Sequence, residues 1–381
     1  MVRPHGRALV VAALVVLAAC GRGGSSSGIS QAPIPINDDV TSVFNALETY
    51  YLYPQNIPQN PSSFATVSSL VAALNDPFTF LLAPPQVAQL TTGSFSGSFG
   101  LNVARLSTFV YVNTIDPSGP AWGAGLRRND VITAVDGVAV TASLTDTEIT
   151  NAFAPMTITV SAFRGPGTQL GVSLTRATFT TTSVEDESID ALTHYVRIGE
   201  FVGASVNPTG PLGELQAILQ KNPTQTRWVI DLRWDTGGFL LQASQIADLF
   251  IPTGTVLTLR DKNGFADTIY NASPGSPYEG YSLVVLVNGE SASASEVLAQ
   301  SLHVLKGVKL VGTQSFGKGV SQRVFSFPDG GELLMVSFKM FDANGFSWQG
   351  VGLTPDVVVP LDPVQLQNGV DSQLQAALGQ L

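Results

Sequence analysis

Residues 179–381 alternate short apolar runs, typical of β-strands, with longer segments of helical periodicity. Strands are predicted at residues 194–201, 227–232, 282–287, 309–311 and 333–338, and helices at residues 212–221, 240–250 and 294–305. This alternation predicts an α/β domain with a largely parallel sheet. The predicted strands are apolar, as expected of a sheet that is buried on both faces.

Two segments with different patterns precede this domain. Residues 93–178 contain short strand-like runs separated by turn signals such as Asp136-Gly137, which predict a mostly β domain. Residues 38–92 place apolar side chains at helical spacing, and they predict a helical segment without chemistry of its own. A chain of 381 residues has room for these parts.

The first residues resemble a lipoprotein export signal. Arg3 and Arg7 precede an apolar run over residues 8–19, which is too short to span a membrane and suits a signal-peptide core. Cys20, the only cysteine, follows Leu-Ala-Ala, as the bacterial lipobox requires. Residues 1–19 are therefore predicted to be a lipoprotein signal peptide, and residues 20–37 a flexible tether. An ordinary signal peptide followed by an unmodified cysteine is the alternative.

Lipid attached to Cys20 would anchor an exported chain in the bacterial cell envelope, because two or more acyl chains hold a protein stably at a membrane. Gly21, rather than Asp, follows Cys20. This favours an outer-membrane anchor that faces the periplasm. A single cysteine also excludes an intramolecular disulfide.

Charge and histidine content argue against several classes of function. The net charge is −10 and Lys and Arg are not clustered, so no nucleic-acid partner is expected. The histidines are His5, His194 and His303, without a His-Glu-x-x-His motif or a Cys pair, so no metal is expected. His303 would lie about 15 Å from Ser293 along the predicted helix. His194 begins a predicted strand, which favours a structural role over a Ser-His-Asp triad.

Residues 312–319 nearly match a P-loop, but Gly319 occupies the position of the Ser or Thr that would bind Mg²⁺. The residues that follow alternate like a strand, whereas a P-loop needs a helix N-terminus there to hold phosphate. No nucleotide cofactor is expected.

Ser293 is the candidate nucleophile, because it lies between a predicted buried strand and a predicted helix. A hydroxyl at such a turn projects at the sheet edge, and the helix N-terminus favours a developing negative charge. The alternative is a structural capping box in which Ser293 pairs with Glu296.

Lys318 is the candidate general base. Gly317 and Gly319 flank it in a largely apolar stretch, and burial can lower the pKa of a lysine from about 10.4 to near 7. A neutral amine could then accept the serine proton. Gln322, four residues further on, would face the same way on a strand and could orient the amine without adding charge. The alternative is an ordinary solvated lysine.

Gly237 and Gly238 follow the predicted strand at residues 227–232. Backbone N–H groups in such a turn can stabilise an oxyanion. A plain strand-to-helix turn explains the same glycines.

Together these motifs resemble the carboxy-terminal processing (tail-specific) proteases, which are PDZ-containing Ser-Lys serine peptidases. In that family the central serine of a Ser-Ala-Ser-Ala-Ser-Glu segment is the nucleophile. A lysine in Phe-Gly-Lys-Gly follows 25 residues later and a glutamine four beyond it, which are the positions of Ser293, Lys318 and Gln322 here. Further similar segments are Asp-Pro-Phe-Thr at 76–79, a PDZ-like signature at 118–137 and Gly-Val-Gly-Leu-Thr-Pro-Asp at 350–356.

The resemblance implies an oxyanion hole made by the backbone N–H of Ala294 and of one glycine of the pair, with Gly237 favoured over Gly238. The family's Asp-Leu-Arg-Asn-Asn-Pro-Gly-Gly reads Asp-Leu-Arg-Trp-Asp-Thr-Gly-Gly here, so Trp234 and Asp235 replace two asparagines. Trp234 places a bulky side chain next to the oxyanion loop.

The resemblance also implies a PDZ-type site that binds chain ends by extending a sheet edge. Its residues would be Phe99, Gly100, Leu101 and Val103, with apolar substrate C-termini expected. The alternative is that these side chains are plain core residues.

The implied architecture is a crotonase/ClpP-like α/β catalytic domain (179–381), an inserted mostly β PDZ-like domain (93–178) and a helical N-terminal segment (38–92). The implied activity is that of a serine endopeptidase that cleaves exported proteins through an acyl-enzyme and needs no cofactor. A homo-oligomer or an adaptor partner is left open. A non-catalytic PDZ adaptor lipoprotein is the alternative, which the presence of both Ser293 and Lys318 disfavours.

Overall fold

The computed structural model describes residues 33–87, 94–106, 108–201 and 210–381. The predicted signal peptide and Cys20 lie outside these residues. The chain divides into two units. The described part of the larger lies within Val16–Ser94, Thr182–Pro360 and Gln373–Leu381, and that of the smaller within Phe95–Thr181 and Leu361–Ser372. The smaller unit is thus inserted in the sequence of the larger one.

The strands are numbered along the chain: β1 Ile34–Pro35, β2 Phe80–Leu82, β3 Ser94–Ser98, β4 Leu101–Leu106, β5 Phe109–Ile115, β6 Val131–Val135, β7 Val138–Ala139, β8 Thr157–Arg164, β9 Thr168–Thr175, β10 Ala177–Thr180, β11 Val184–Ser188, β12 Thr193–Ile198, β13 Arg227–Asp231, β14 Gly254–Arg260, β15 Ala266–Ala272, β16 Ser282–Val287, β17 Lys309–Gly312, β18 Val320–Ser326, β19 Glu332–Phe341 and β20 Val357–Val358. The helices are α1 Val40–Tyr50, α2 Val67–Ala73, α3 Pro120–Gly123, α4 Asp146–Ala152, α5 Gly210–Lys221, α6 Leu240–Asp248, α7 Ala294–Lys306, α8 Pro363–Gln367 and α9 Ser372–Leu378. Among the helices of the described residues, none is long and apolar enough to cross a membrane.

The α/β part of the larger unit is built on a sheet of order β11-β12-β13-β16-β17-β20. All neighbours in this sheet are parallel except the pair β11 and β12. Helices α5, α6 and α7 contribute Leu215, Ile246 and Leu298 to the same core as Ile230 and Val285, all of them fully buried. The predicted α/β fold with a largely parallel sheet is confirmed.

A second sheet, of order β1-β18-β19-β14-β15 with β2 also paired to β19, completes this unit. It is antiparallel apart from the β1–β18 pair. The predicted strand at 333–338 lies in this sheet and not in the parallel one. Helices α1 and α2 pack on it, since Leu47 and Leu70 share a core with Phe325 and Met335.

Strands β13, β16 and β17 run parallel, so their carboxyl ends meet at one edge of the sheet. Three loops begin at this edge, spanning residues 232–239, 288–293 and 313–319. Active sites of open α/β sheets commonly lie at this edge.

The smaller unit contains an antiparallel sheet of order β4-β5-β6-β8-β9, with β7 paired to β6. Its core includes Val110, Ile132, Ile158 and Leu174. Strand β4 is at one edge of this sheet, and β3 pairs separately with β10. The predicted mostly β unit is confirmed.

Candidate active site

Ser293 sits in a strained turn between β16 and α7. Its φ of 56° and ψ of −114° lie outside the regions that residues with a Cβ ordinarily adopt. Its side chain is buried, and its Oγ has no hydrogen-bond partner among the described residues. The Ser293 N–H donates to Glu296 Oε2 at 2.9 Å, so only one half of the predicted capping box forms. Backbone strain of this kind clusters at functional sites.

The loop after β13 is tied to the turn that carries Ser293. The carbonyl oxygen of Asp235 accepts hydrogen bonds from Ala292 N–H at 3.0 Å and from Ser295 Oγ at 2.9 Å. Trp234 has a φ of 66° and donates its N–H to Asn288 Oδ1 at 3.0 Å. These contacts fix the glycine pair against the candidate nucleophile.

Lys318 is almost fully buried, with 3% of its surface exposed. Its Nζ lies 5.1 Å from the centroid of the Phe78 ring. Burial lowers the pKa of Lys318 to about 8, against the opposing effect of the carboxylates of Asp76 and Glu296. An amine with this pKa is neutral often enough near pH 8 to act as a base.

Gly317 and Gly319 let another segment approach the backbone on both sides of Lys318. A Cβ at Gly317 would lie 2.8 Å from Gly352 N, and one at Gly319 would lie 2.6 Å from Gln349 N. The Gly350 N–H donates to Gly317 O at 2.8 Å, and the Gly319 N–H to Gln349 Oε1 at 2.7 Å. Strand β18 follows directly, so the helix that a P-loop requires is not present here.

Glu296 joins the two candidate catalytic segments, a role that the sequence does not reveal. It is fully buried. Its Oε2 accepts the N–H groups of Ser293 and Lys318, both at 2.9 Å. Its Oε1 accepts the Gly317 N–H at 2.7 Å and the Ser315 hydroxyl at 2.5 Å. A glutamate three residues into a helix indicates only a capping box, so its wider role was missed.

Gln322 and Lys318 both contact Phe78. The Gln322 Nε2 donates to Phe78 O at 3.2 Å, while Gln322 Oε1 has no partner among the described residues. Asp76 orders this segment by accepting the Phe78 N–H at 3.0 Å and the Thr79 hydroxyl at 2.7 Å. Phe78, which belongs to the segment 38–92, thus borders the buried lysine.

Gly237 lies directly against the Ser293 turn, and Gly238 lies against Phe201. A Cβ at Gly237 would come within 2.9 Å of Ser293 Cβ, and one at Gly238 within 2.2 Å of Phe201 O. The Gly237 N–H already donates to Asp235 Oδ1 at 2.8 Å. The N–H groups of Gly238 and Ala294 have no acceptor in the part of the chain that the structure describes. Of the two glycines, Gly238 is therefore the one whose N–H is not already used within the described residues.

The two histidines of the described residues are engaged elsewhere. His194 is buried, with Nδ1 2.6 Å from Gln225 Oε1 and Nε2 3.0 Å from Asp186 Oδ2. His303 Nδ1 lies 2.9 Å from Val308 O. Neither ring is hydrogen-bonded to Ser293, so lysine stays the candidate base.

The predicted chain-end site lies in the smaller unit. Phe99 is buried in the core, whereas Leu101 and Val103 are half-buried on the edge strand β4. Gly100 has a φ of 72°, and a Cβ there would lie 2.8 Å from Gly119 Cα. The Phe99 side chain thus packs in the core beside Gly100, while the side chains of Leu101 and Val103 remain partly accessible.

Comparison with known proteins identifies the related families. Residues 193–359 match the model of peptidase family S41, and residues 111–149 match a PDZ domain. The carboxyl-terminal-processing protease of Picosynechococcus is 31% identical over 89% of this chain and 84% of its own length. The chloroplastic C-terminal processing peptidase of Tetradesmus obliquus is 31% identical over 87% of this chain and 74% of its own length.

Among solved structures, the photosystem II D1 C-terminal processing protease is similar, with a TM-score of 0.56 and 26% identity. The match covers 87% of this chain and 95% of that one. A Ser-containing turn, a PDZ domain and relatives that align over most of both chains lead to one conclusion. The chain belongs to peptidase family S41, the carboxyl-terminal-processing proteases, and is a serine-type peptidase with a PDZ domain.

Proposed function

We propose that this protein is an endopeptidase that cleaves exported proteins, with Ser293 as nucleophile and Lys318 as general base. One observation supports this most strongly. A strained serine with an unbonded Oγ and a buried lysine with a lowered pKa are both bonded through their backbone N–H groups to the same carboxylate, Glu296. Such an arrangement fixes two reactive groups relative to each other without occupying either side chain.

In the proposed mechanism the neutral Lys318 amine takes the proton of Ser293 Oγ as this oxygen attacks the scissile carbonyl carbon. The N–H groups of Gly238 and Ala294 would stabilise the oxyanion that forms. Lys318 then returns the proton to the leaving amine, and an acyl-enzyme is left. Water, deprotonated by the same lysine, hydrolyses it. Gln322 Oε1 is the group proposed to accept a hydrogen bond from Lys318 Nζ and so to orient the amine.

Ser293 Oγ is not bonded to Lys318 Nζ in this structure. Catalytic hydrogen bonds are often absent before substrate binds and tighten in the complex. We therefore assign the observed arrangement to a resting form that substrate completes.

Substrate tails are proposed to bind at the edge of β4, as in PDZ-type recognition, where an added strand supplies backbone hydrogen bonds. The partly accessible Leu101 and Val103 favour tails that end in apolar side chains.

The function is tested by degradation of a loosely folded reporter that ends in an apolar tail, using the full-length protein. Wild type is expected to cleave it, and Ser293→Ala to leave it intact while retaining wild-type circular dichroism. Leu101→Asp is expected to raise KM about tenfold for the apolar tail with little change in kcat, because it alters tail binding only.

The control substrate is the same reporter with a charged tail in place of the apolar one. Equal cleavage of both tails by wild type would contradict tail selection. Cleavage by Ser293→Ala would contradict the nucleophile. Tail binding without any cleavage by wild type would favour the adaptor alternative.

The lipid anchor is proposed from Cys20 and its flanking residues. Metabolically supplied radioactive palmitate is expected to label wild type and not Cys20→Ser, and the substituted protein should leave the membrane fraction. Labelling of Cys20→Ser at the wild-type level would contradict the anchor.

A further inference from the structure

Asp235 occupies an unusual position beside the proposed oxyanion hole. Its side chain is fully buried. Oδ1 accepts the Gly237 N–H at 2.8 Å, in a turn that Asn and Asp both favour. Oδ2 has no hydrogen-bond partner in the described part of the chain. The family pattern quoted above has Asn at this position, so this chain has an ionisable group where an amide would serve.

The bond to Asp235 uses one of the two N–H groups of the glycine pair. Because Asp235 holds the Gly237 N–H, the Gly238 N–H is the one left without a described acceptor. A Cβ built on Gly237 would lie only 2.9 Å from Ser293 Cβ. Gly237, whose N–H Asp235 accepts, thus packs against the nucleophile, so a charge on Asp235 can act on an oxyanion that forms there.

The two protonation states of Asp235 would affect the reaction differently. A neutral acid keeps its bond to Gly237 through the carbonyl oxygen and adds no charge. A carboxylate keeps the same bond but places a buried negative charge next to the negative charge that forms in the transition state. Like charges in a site of low dielectric repel strongly.

The surroundings of Asp235 favour the neutral form. Burial raises the pKa of Asp235 well above its usual value, although its own hydrogen bonds and the Arg197 guanidinium act in the opposite direction. Among the described residues, Arg197 and Glu200 near the end of β12 act on Asp235 through their charges. Further charged groups on neighbouring elements are Glu296 on α7 and the ion pair between Asp231, the last residue of β13, and Arg233. Arg197 also pairs with Glu185 at 2.9 Å. Residues 202–209 contain no charged side chain.

We propose that Asp235 positions the oxyanion loop as a neutral carboxylic acid, and that its ionisation at higher pH weakens the stabilisation of the oxyanion and so lowers activity. Asp235 is a positioning residue, because it acts through Gly237 and does not touch substrate. The proposal rests on the proposed function and adds to it an upper pH limit that an asparagine would not impose.

The test is the pH profile of kcat/KM from about pH 5 to about pH 10, with full-length wild type, Asp235→Asn and Asp329→Asn. Asp329 is the matched control, because it makes the same turn, accepting the Gly331 N–H at 2.8 Å, but is exposed. In all three proteins kcat/KM is expected to rise as Lys318 loses its proton. Wild type and Asp329→Asn are expected to lose kcat/KM over the pH range in which Asp235 ionises, whereas Asp235→Asn should show no such loss and should exceed them roughly tenfold or more at the alkaline end.

Circular dichroism over the same range separates loss of activity from unfolding. Coincident profiles for wild type and Asp235→Asn, with normal cleavage, would overturn the role of Asp235 and leave the proposed function intact. Wild type that cleaves no better than Ser293→Ala at any pH would overturn the proposed function itself. If Asp235→Asn does not fold, the wild-type profile decides alone, because a level plateau at alkaline pH overturns the proposal.

Discussion

Replacing Lys318 with alanine is expected to lower kcat about 10²- to 10⁴-fold, the usual contribution of a general base. The reason is that neither histidine of the described residues is placed to serve Ser293. His194 and His303 are bonded elsewhere, and the neighbouring carboxylate of Glu296 is occupied by four donors. The measurement is steady-state cleavage of the apolar-tailed reporter.

Lys318→Arg distinguishes a base from a structural cation. Arginine retains the charge but cannot release its proton at accessible pH, so it should be as inactive as Lys318→Ala. Lys339→Ala is the matched control, because Lys339 is an exposed lysine on β19, paired in register with Val320 at the start of β18. Activity of Lys318→Arg near the wild-type level would contradict the assignment.

Lys318 also determines how kcat/KM of the wild type is expected to change on the acid side of its pH profile. Lys318 must be neutral to accept a proton, so kcat/KM should rise with pH toward its pKa of about 8. The lowered pKa of Lys318 also affects the stability of the fold. The pKa is lower in the folded chain than in the unfolded chain, so the cost of burying the cation is complete below pH 8 and disappears at higher pH.

Lys318→Met should therefore be inactive yet more stable than wild type at pH 7, on the order of 2–3 kcal/mol. Urea unfolding measures this difference. An inactive variant that gains stability excludes unfolding as the cause of the lost activity. A variant less stable than wild type would contradict the burial of a cation at this position.

The sequence predicts the approximate location of Ser293 and Lys318 better than it predicts their surroundings. Ser293 and Lys318 stand in loops that follow parallel strands, and strand-helix alternation is visible in the chain itself. Parallel strands direct their carboxyl ends to one edge, so the approximate location of both residues follows from the fold class. The 25-residue spacing between them adds the family resemblance.

What the sequence does not predict depends on contacts between distant segments. Phe78 meets Lys318 because β2 joins the sheet of β18 and β19, a pairing of residues more than 200 positions apart. No local pattern encodes this. The same limit applies to the strand predicted at 333–338, because an apolar strand has the same sequence pattern in a parallel and in an antiparallel sheet.

The choice between Gly237 and Gly238 depends on a single hydrogen bond. Both glycines are required by close backbone contacts, so residue type cannot separate them. Only the bond from Gly237 N–H to Asp235 Oδ1 shows which donor is already used. The side chain that breaks the family pattern is thus the one that distinguishes the two glycines.

Replacing Glu296 with glutamine is expected to damage both folding and catalysis. The carboxylate accepts four hydrogen bonds, two at each oxygen. Glutamine offers one oxygen and one NH₂ group, and the NH₂ group would face two donors. Buried donors left without an acceptor cost about 1–3 kcal/mol each, so the free energy of unfolding should fall by about 2–5 kcal/mol. Urea unfolding gives this value.

Catalysis should fall by at least about 100-fold in kcat, because the two backbones that Glu296 joins are those of Ser293 and Lys318, and small displacements of reacting groups are costly. The matched control is Glu148→Gln. Glu148 forms a capping box with Thr145, accepting its N–H at 2.7 Å, but it is exposed and lies in the smaller unit. Its replacement should cost less than about 1 kcal/mol and leave kcat unchanged. Equal effects of the two substitutions would show that Glu296 is only a helix cap, whereas a loss confined to Glu296→Gln would establish that one buried carboxylate aligns the nucleophile with its base.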